Sequence, residues 1–161
     1  MAFADQYIQK QNLGLHYSEQ HFLDDLNIAV VIPCHRESGI ISVLENIERT
    51  DKPKSATHVI IIINHAVNHS DSVKEENKHT YDNLKEWIKR NRRYSYEVFM
   101  SEIDDKKAGV GYARKLGMDH AVSLFNRVDN KNGVIVSLDA DAFVSDNFLT
   151  EIEAHYEKHS L

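Results

Sequence analysis

Two carboxylates one residue apart, Asp139 and Asp141, end an apolar run in the segment GVIVSLDADAFVSDNF, residues 133–148. Like charges repel, and partial burial penalises both, so the pair calls for a cation between or beside them. In an extended chain, a spacing of two points both side chains the same way. Oxygen ligands in an incomplete protein shell suit Mg²⁺ or Mn²⁺, with waters and substrate phosphates filling the remaining positions. The plainer reading makes them solvated turn aspartates, or a cap for the following helix. Their place at the end of a buried strand, with Ala140 and Ala142 leaving room beside them, brings the metal reading level with the plainer one.

The elements that must position this pair can be read from periodicity. Four apolar runs rich in β-branched residues, 28–34, 58–63, 96–100 and 134–138, are mostly continuous rather than alternating. Strands covered on both faces read this way. Ile40, Ile41, Leu44 and Ile47 repeat at helical spacing and stop near Asp51 and Pro53. Val73, Tyr81, Leu84, Trp87 and Ile88 mark a longer helix. Val110, Ala113, Gly117, Ala121 and Leu124 line a third, and Leu149, Ile152 and Tyr156 a fourth with Ser145 as its N-cap. The order βαβαβαβ predicts an α/β fold, a Rossmann-like three-layer sandwich with a mainly parallel sheet. Val30, Ile32, Ile60, Ile62, Val134 and Val136 should be buried, with the first strand interior. Ligands of such sheets bind beyond the carboxyl ends of the strands. Cys34, Asn64 and Asp139 lie at three such ends and are expected to open onto one crevice.

Composition limits the partners. The 161 residues carry a formal charge of −6, which argues against non-specific nucleic-acid binding. The one basic cluster, Lys89, Arg90, Arg92 and Arg93, follows a helix and should cap its C-terminal end. A single cysteine, Cys34, excludes an internal disulfide, and the chain shows no signal peptide, so a cytoplasmic setting is expected. No apolar run reaches the roughly 20 residues of a membrane span. Membrane association is expected only through regions outside this chain.

Taken in order, IAVVIPCHRES, THVIIIINHA, GVGYARKLGMDHAV and GVIVSLDADAFVSDNFL resemble the nucleotide-sugar-binding half of GT-A glycosyltransferases, especially family 2 of inverting enzymes. The resemblance covers residues 28–156 and implies a donor-binding domain over 28–161, with 1–27 an N-terminal extension packed on it. It implies that Pro33, His35 and Glu37 line the nucleoside pocket, with His35 where a tyrosine is usual and Arg36 where asparagine is usual. Asn64 takes the place of an aspartate that recognises the base, and His65 departs from the aspartate after it. Gly109, Ala113 and Arg114 match G-x-x-x-A-R, with Lys115 in place of asparagine. Arg114 then lies near base and diphosphate, or pairs with Asp139 or Asp141 when the crevice is empty. Asp139 and Asp141 form the D-x-D, holding Mn²⁺ or Mg²⁺ against the diphosphate, with Asp139 also near the ribose.

The implied activity is metal-assisted, inverting transfer of a sugar from a nucleotide-diphosphate donor to an unknown acceptor. The base that activates the acceptor comes, in that family, from well beyond the D-x-D. Here about twenty residues follow it, so the catalytic residue is unassigned and the chain is expected to be the donor-binding portion of a longer enzyme. Two other classes stand beside this reading: a nucleotidyltransferase, and a non-catalytic nucleotide- or partner-binding module. The first wants a Gly-rich, basic loop after the first strand, and PCHRESG is poor in glycine. The second is kept open by Asn64, His65 and Lys115. GVGYAR is no dinucleotide fingerprint, having arginine where a third glycine should stand.

Overall fold

The structure, a computed structural model, describes residues 2–11 and 24–159. Helix α1 spans Asp5–Gln11, and strand β1 (Leu26–Cys34) leads into α2 (Ile40–Arg49). Strand β2 (Ala56–Ala66), helix α3 (Asp71–Ile88) and strand β3 (Ser95–Ile103) follow, then α4 (Val110–Arg127), β4 (Val134–Ser137) and α5 (Phe148–Lys158). The four strands form one sheet in the order β3-β2-β1-β4. Every pairing is parallel, in register from Ala29↔His58 to Cys34↔Ile63 across β1 and β2. The expected α/β sandwich is therefore present, with β1 interior.

Alternation along β1 divides the core in two. Ile28, Val30, Ile32 and Cys34 face α2, α3 and α5, meeting Ile40, Leu44, Ile47, Leu84 and Leu149. Ala29 and Val31 face the other way, joining Ile60, Ile62 and the α4 residues Ala113, Ala121 and Phe125. Of the six residues expected in the core, five are buried, whereas Val136 is only half-buried. The reason is position: β4 pairs with β1 alone and forms the sheet's edge.

Three local expectations need correction. Strand β1 begins at Leu26, two residues inside the segment read as an extension. Ser145 does not cap α5; Asn147 occupies the cap position, and the Ser145 hydroxyl donates to its side chain. Residues after Ser137 leave the extended conformation, with the amide of Ala142 donating to the Asp139 carbonyl in a turn. Asp139 and Asp141 thus share a turn, not a strand face. Of the N-terminal apolar residues, Tyr7 lies on α1, and its hydroxyl donates to Asp119 on α4 at 2.6 Å. Leu13, Leu15, Phe22 and Leu23 lie outside the described residues. Trp87 is buried core, and Arg92 closes the end of α3 by donating twice to the Trp87 carbonyl.

Candidate functional site

Beyond the carboxyl ends of β1 and β4 lies a cavity of about 310 Å³, lined by Pro33, His35, Glu37, Val110, Arg114, Asp139, Ala140 and Asp141. Five of the six residues expected to bind the donor, and both expected metal ligands, therefore meet at one place. The β1 end supplies Pro33, His35 and Glu37; the start of α4 supplies Val110 and Arg114; the turn after β4 supplies the two aspartates.

The sixth, Asn64, sits differently. Its side chain is 1 % exposed and its amide donates to the Gly109 carbonyl at 2.9 Å. Cys34 is also buried, and burial pushes its thiol up to about 12. The expectation that Cys34, Asn64 and Asp139 all open onto the crevice thus holds for Asp139 alone. The reason is the loop ahead of α4, which comes down over the end of β2. Gly109 permits that approach with φ +149°, a conformation that favours glycine. Its carbonyl accepts the Asn64 amide and also the first helical bond from Ala113. The glycine and the alanine of the G-x-x-x-A-R match therefore do backbone and packing tasks, and only the arginine reaches the cavity.

His35 is held by its Nδ1–H, which donates to the Asn64 carbonyl at 2.9 Å. That bond fixes the tautomer and leaves Nε2 as an acceptor. Asn77, a buried residue of α3 that sequence reasoning missed, stabilises the same loop. Its side chain accepts the Arg36 amide and donates to the Asn64 carbonyl. Arg36 needs such support because it adopts a left-handed φ of 55°. The Arg36 guanidinium turns away from the cavity to Glu76. A polar residue on the inward face of an otherwise exposed helix was the one signal that could have singled out Asn77.

Arg114 spans the site. Its Nε donates to the Ser137 hydroxyl and its Nη2 to Asp139 Oδ1, both at 2.8 Å. Pairing with Asp139 is one of the two arrangements expected for Arg114. Asp139 is 64 % exposed at its side chain, so the pair is open to solvent and easily exchanged. Asp141 is exposed and its carboxylate has no hydrogen-bond or ion-pair partner among the described residues. Two carboxylates, one free and one half-engaged, form an oxygen-donor set that fits a hard divalent cation with water completing its shell.

The remaining carboxylates near the D-x-D lie elsewhere. Glu153 is buried and accepts bonds from the Lys54 and Ser55 amides and the Ser55 hydroxyl, at the opposite end of the sheet. Glu157 pairs with Lys54, and Glu151 borders a different depression beside Phe148 and His155. No helix among the described residues is long and apolar enough to cross a membrane.

No protein-family model and no curated protein matches this sequence. Solved structures do match its fold. TarS 1-349 from S. aureus superposes with a TM-score of 0.52 at 15 % identity, over 83 % of this chain and 33 % of that one. The same protein in complex with UDP-GlcNAc gives 0.51 at 14 %, and in complex with UDP 0.52 at 15 %. The chain thus spans about a third of the structure it resembles, and what is shared is the Rossmann-like fold.

Proposed function

We propose that this chain is the donor-binding portion of a GT-A glycosyltransferase, taking a nucleotide-diphosphate sugar and passing the sugar to an acceptor hydroxyl with inversion. The observation that carries the reading is the convergence of His35, Glu37, Arg114, Asp139 and Asp141 on one cavity at the strand ends. The fold it shares with TarS, solved with UDP-GlcNAc, supports a nucleotide-sugar as the ligand.

Each residue has a task that its geometry suits. The His35 ring, anchored through Nδ1, offers a face for stacking on the base. The amino end of α4, at Val110, presents unpaired amides and a positive dipole end to the diphosphate. Arg114 exchanges Asp139 for a phosphate, its planar fork accepting either anion. Asp139, so released, faces the ribose or the water shell of a cation, and Asp141 holds that cation. When bound, Mn²⁺ or Mg²⁺ neutralises charge that builds on the departing diphosphate.

The test is melting temperature against UDP, GDP, UDP-GlcNAc and other nucleotide sugars, with and without Mn²⁺. Ligand binding to the native state raises stability with the logarithm of concentration over Kd. A rise for at least one nucleoside diphosphate, enlarged by Mn²⁺, is expected. No rise with any of them would sink the donor-site reading. A second reading, a non-catalytic nucleotide-binding module, is favoured by the enclosed Asn64, which leaves the usual base-recognising position without a side chain in the cavity.

A further inference from the structure

A second constellation lies away from this cavity, on the face of the sheet that α4 covers. His58 on β2, Glu97 on β3 and His120 on α4 are all buried, and one ligand atom from each lies within 4.8 Å of the others. Both imidazole Nε2 atoms converge on the same carboxylate oxygen, Glu97 Oε2, at 3.0 Å from His58 and 2.6 Å from His120. Burying three ionisable groups between two strands and a helix costs stability that apolar residues of similar size would not.

The hydrogen bonds around His58 narrow what sits there. Its Nδ1 lies 2.6 Å from the Ser95 hydroxyl, and that hydroxyl donates to the Thr57 carbonyl at 3.3 Å. Whichever ring nitrogen carries the hydrogen, Nδ1 lies against a hydroxyl that can accept from it, and Nε2 faces Glu97 Oε2. A metal-bound imidazole whose outer N–H is held by a hydroxyl or carbonyl is the usual way proteins orient such a ligand.

We propose that His58, Glu97 and His120 form a buried site for a Zn²⁺-class divalent cation, tying β2, β3 and α4 together. Two imidazoles and one carboxylate are a donor set for zinc or cobalt rather than for Mg²⁺ or Ca²⁺. Zinc bonds of about 2.0–2.2 Å place ligand atoms somewhat over 3 Å apart. The triad reaches that spacing by small side-chain rotations from its present 2.6 and 3.0 Å. To bind, each imidazole presents an unprotonated Nε2 with its hydrogen on Nδ1, and the carboxylate is ionised; the metal therefore competes with protons, and affinity falls in acid. The site is independent of the donor cavity, which is built from the opposite strand ends.

The experiment uses the full 161-residue chain, stripped with chelator and titrated with Zn²⁺ and, separately, Co²⁺. One equivalent of cobalt giving the visible bands of a four-coordinate ion, and a rise in Tm with Zn²⁺, are expected. His58→Asn should abolish both. Ser95→Ala, which keeps all three ligands, should weaken binding roughly 10- to 100-fold. The double variant Asp139→Ala/Asp141→Ala should leave the cobalt spectrum unchanged. A wild-type chain that shows neither bands nor a Tm rise overturns the proposal and leaves the triad held by hydrogen bonds alone. So does a cobalt spectrum that survives intact in both His58→Asn and Ser95→Ala. If His58→Asn does not fold, the wild-type spectrum and Ser95→Ala decide.

Discussion

Arg114 and Asp139 illustrate how one ion pair can hold a site ready without stabilising the fold much. Exposed pairs of this kind contribute at most about 1 kcal/mol, and Asp139 is mostly in solvent. Arg114→Ala should therefore leave Tm nearly unchanged while lowering affinity for UDP roughly 10- to 100-fold, the loss of charge-assisted hydrogen bonds to phosphate. Asp141→Ala should remove the Mn²⁺ enhancement of UDP binding and shift Tm without ligand by no more than about 2 °C. Isothermal titration of both variants with and without Mn²⁺ checks this; unchanged Mn²⁺ dependence in Asp141→Ala discards the metal role. Cys34 makes a separate prediction. Burial first, against the lowering effect of a backbone hydrogen bond from Glu37, pushes its thiol from 9.0 up to about 12. The folded chain thus keeps a proton that the unfolded chain loses above pH 9. Stability is intact below pH 9 and declines as pH rises toward 12, by at most about 1.4 kcal/mol per unit. Urea denaturation at several alkaline pH values should show a shallower decline for Cys34→Ala than for wild type. Residue types at strand ends made most of the cavity wall legible in advance. Asn64 was not, because whether a strand-end side chain opens outward depends on the loop of another element, here Gly109. His58, Glu97 and His120 escaped for a related reason. They stand 39 and 23 residues apart, and each taken alone is an ordinary polar interruption of an apolar pattern.

At the scale of elements, α4 is the piece on which the cavity depends. It brings Val110 and Arg114 to the strand ends only because it lies close on β1 and β2, and Gly117 sets that distance. A Cβ at Gly117 would overlap Val31 Cγ1 and press on Ile62 Cγ1 at 3.2 Å. Val31 is fully buried and stiff at χ1, so it has little room to yield. Alanine favours a helix over glycine by about 1 kcal/mol, whereas overpacking costs about 1–3 kcal/mol. Gly117→Ala should thus be neutral to destabilising, and should weaken UDP binding although position 117, one helical turn beyond Arg114, does not line the cavity. Denaturant melts and titration calorimetry on this variant test it; a clear gain in stability would mean that α4 does not rest on Val31. The strands were readable because most of their residues are buried and their apolar runs are long, broken only by single polar residues such as Glu97. Their ends were less so: β2 continues through Asn64, His65 and Ala66 because β3 pairs with it there, out to Ala66↔Ile103. The turn at Asp139–Ala142 was read as extended because small residues after a strand do not declare where pairing stops, and here it stops when β4 loses its partner at Val31↔Ser137.

For the molecule as a whole, the sheet order and the cavity suit the proposed donor without supplying what must lie opposite it. An inverting transfer needs a base on the far face of the sugar, within hydrogen-bond reach of the acceptor hydroxyl, in a site that excludes water. Among the described carboxylates of the last helix none meets that need, since Glu153 is locked to Lys54 and Ser55 and Glu151 borders another depression. Asp146 is exposed and lies outside the cavity wall, its carbonyl accepting the Asp51 amide. Among the described residues Glu37 alone remains at the wall besides the two aspartates, and it stands with Pro33 and His35 on the side proposed for the nucleoside. A pocket that encloses a ligand buries roughly 70–90 % of its surface, whereas here Asp139 is 64 % exposed. The 161-residue chain should accordingly bind nucleoside diphosphate weakly, hydrolyse a nucleotide sugar slowly with Mn²⁺, and transfer sugar negligibly. Incubation with a panel of nucleotide sugars, Mn²⁺ and mixed acceptors, followed by mass spectrometry, measures all three. Robust transfer by this chain would reverse the conclusion and point to Glu37, and Glu37→Gln would then have to abolish it while leaving UDP affinity within a few-fold of wild type.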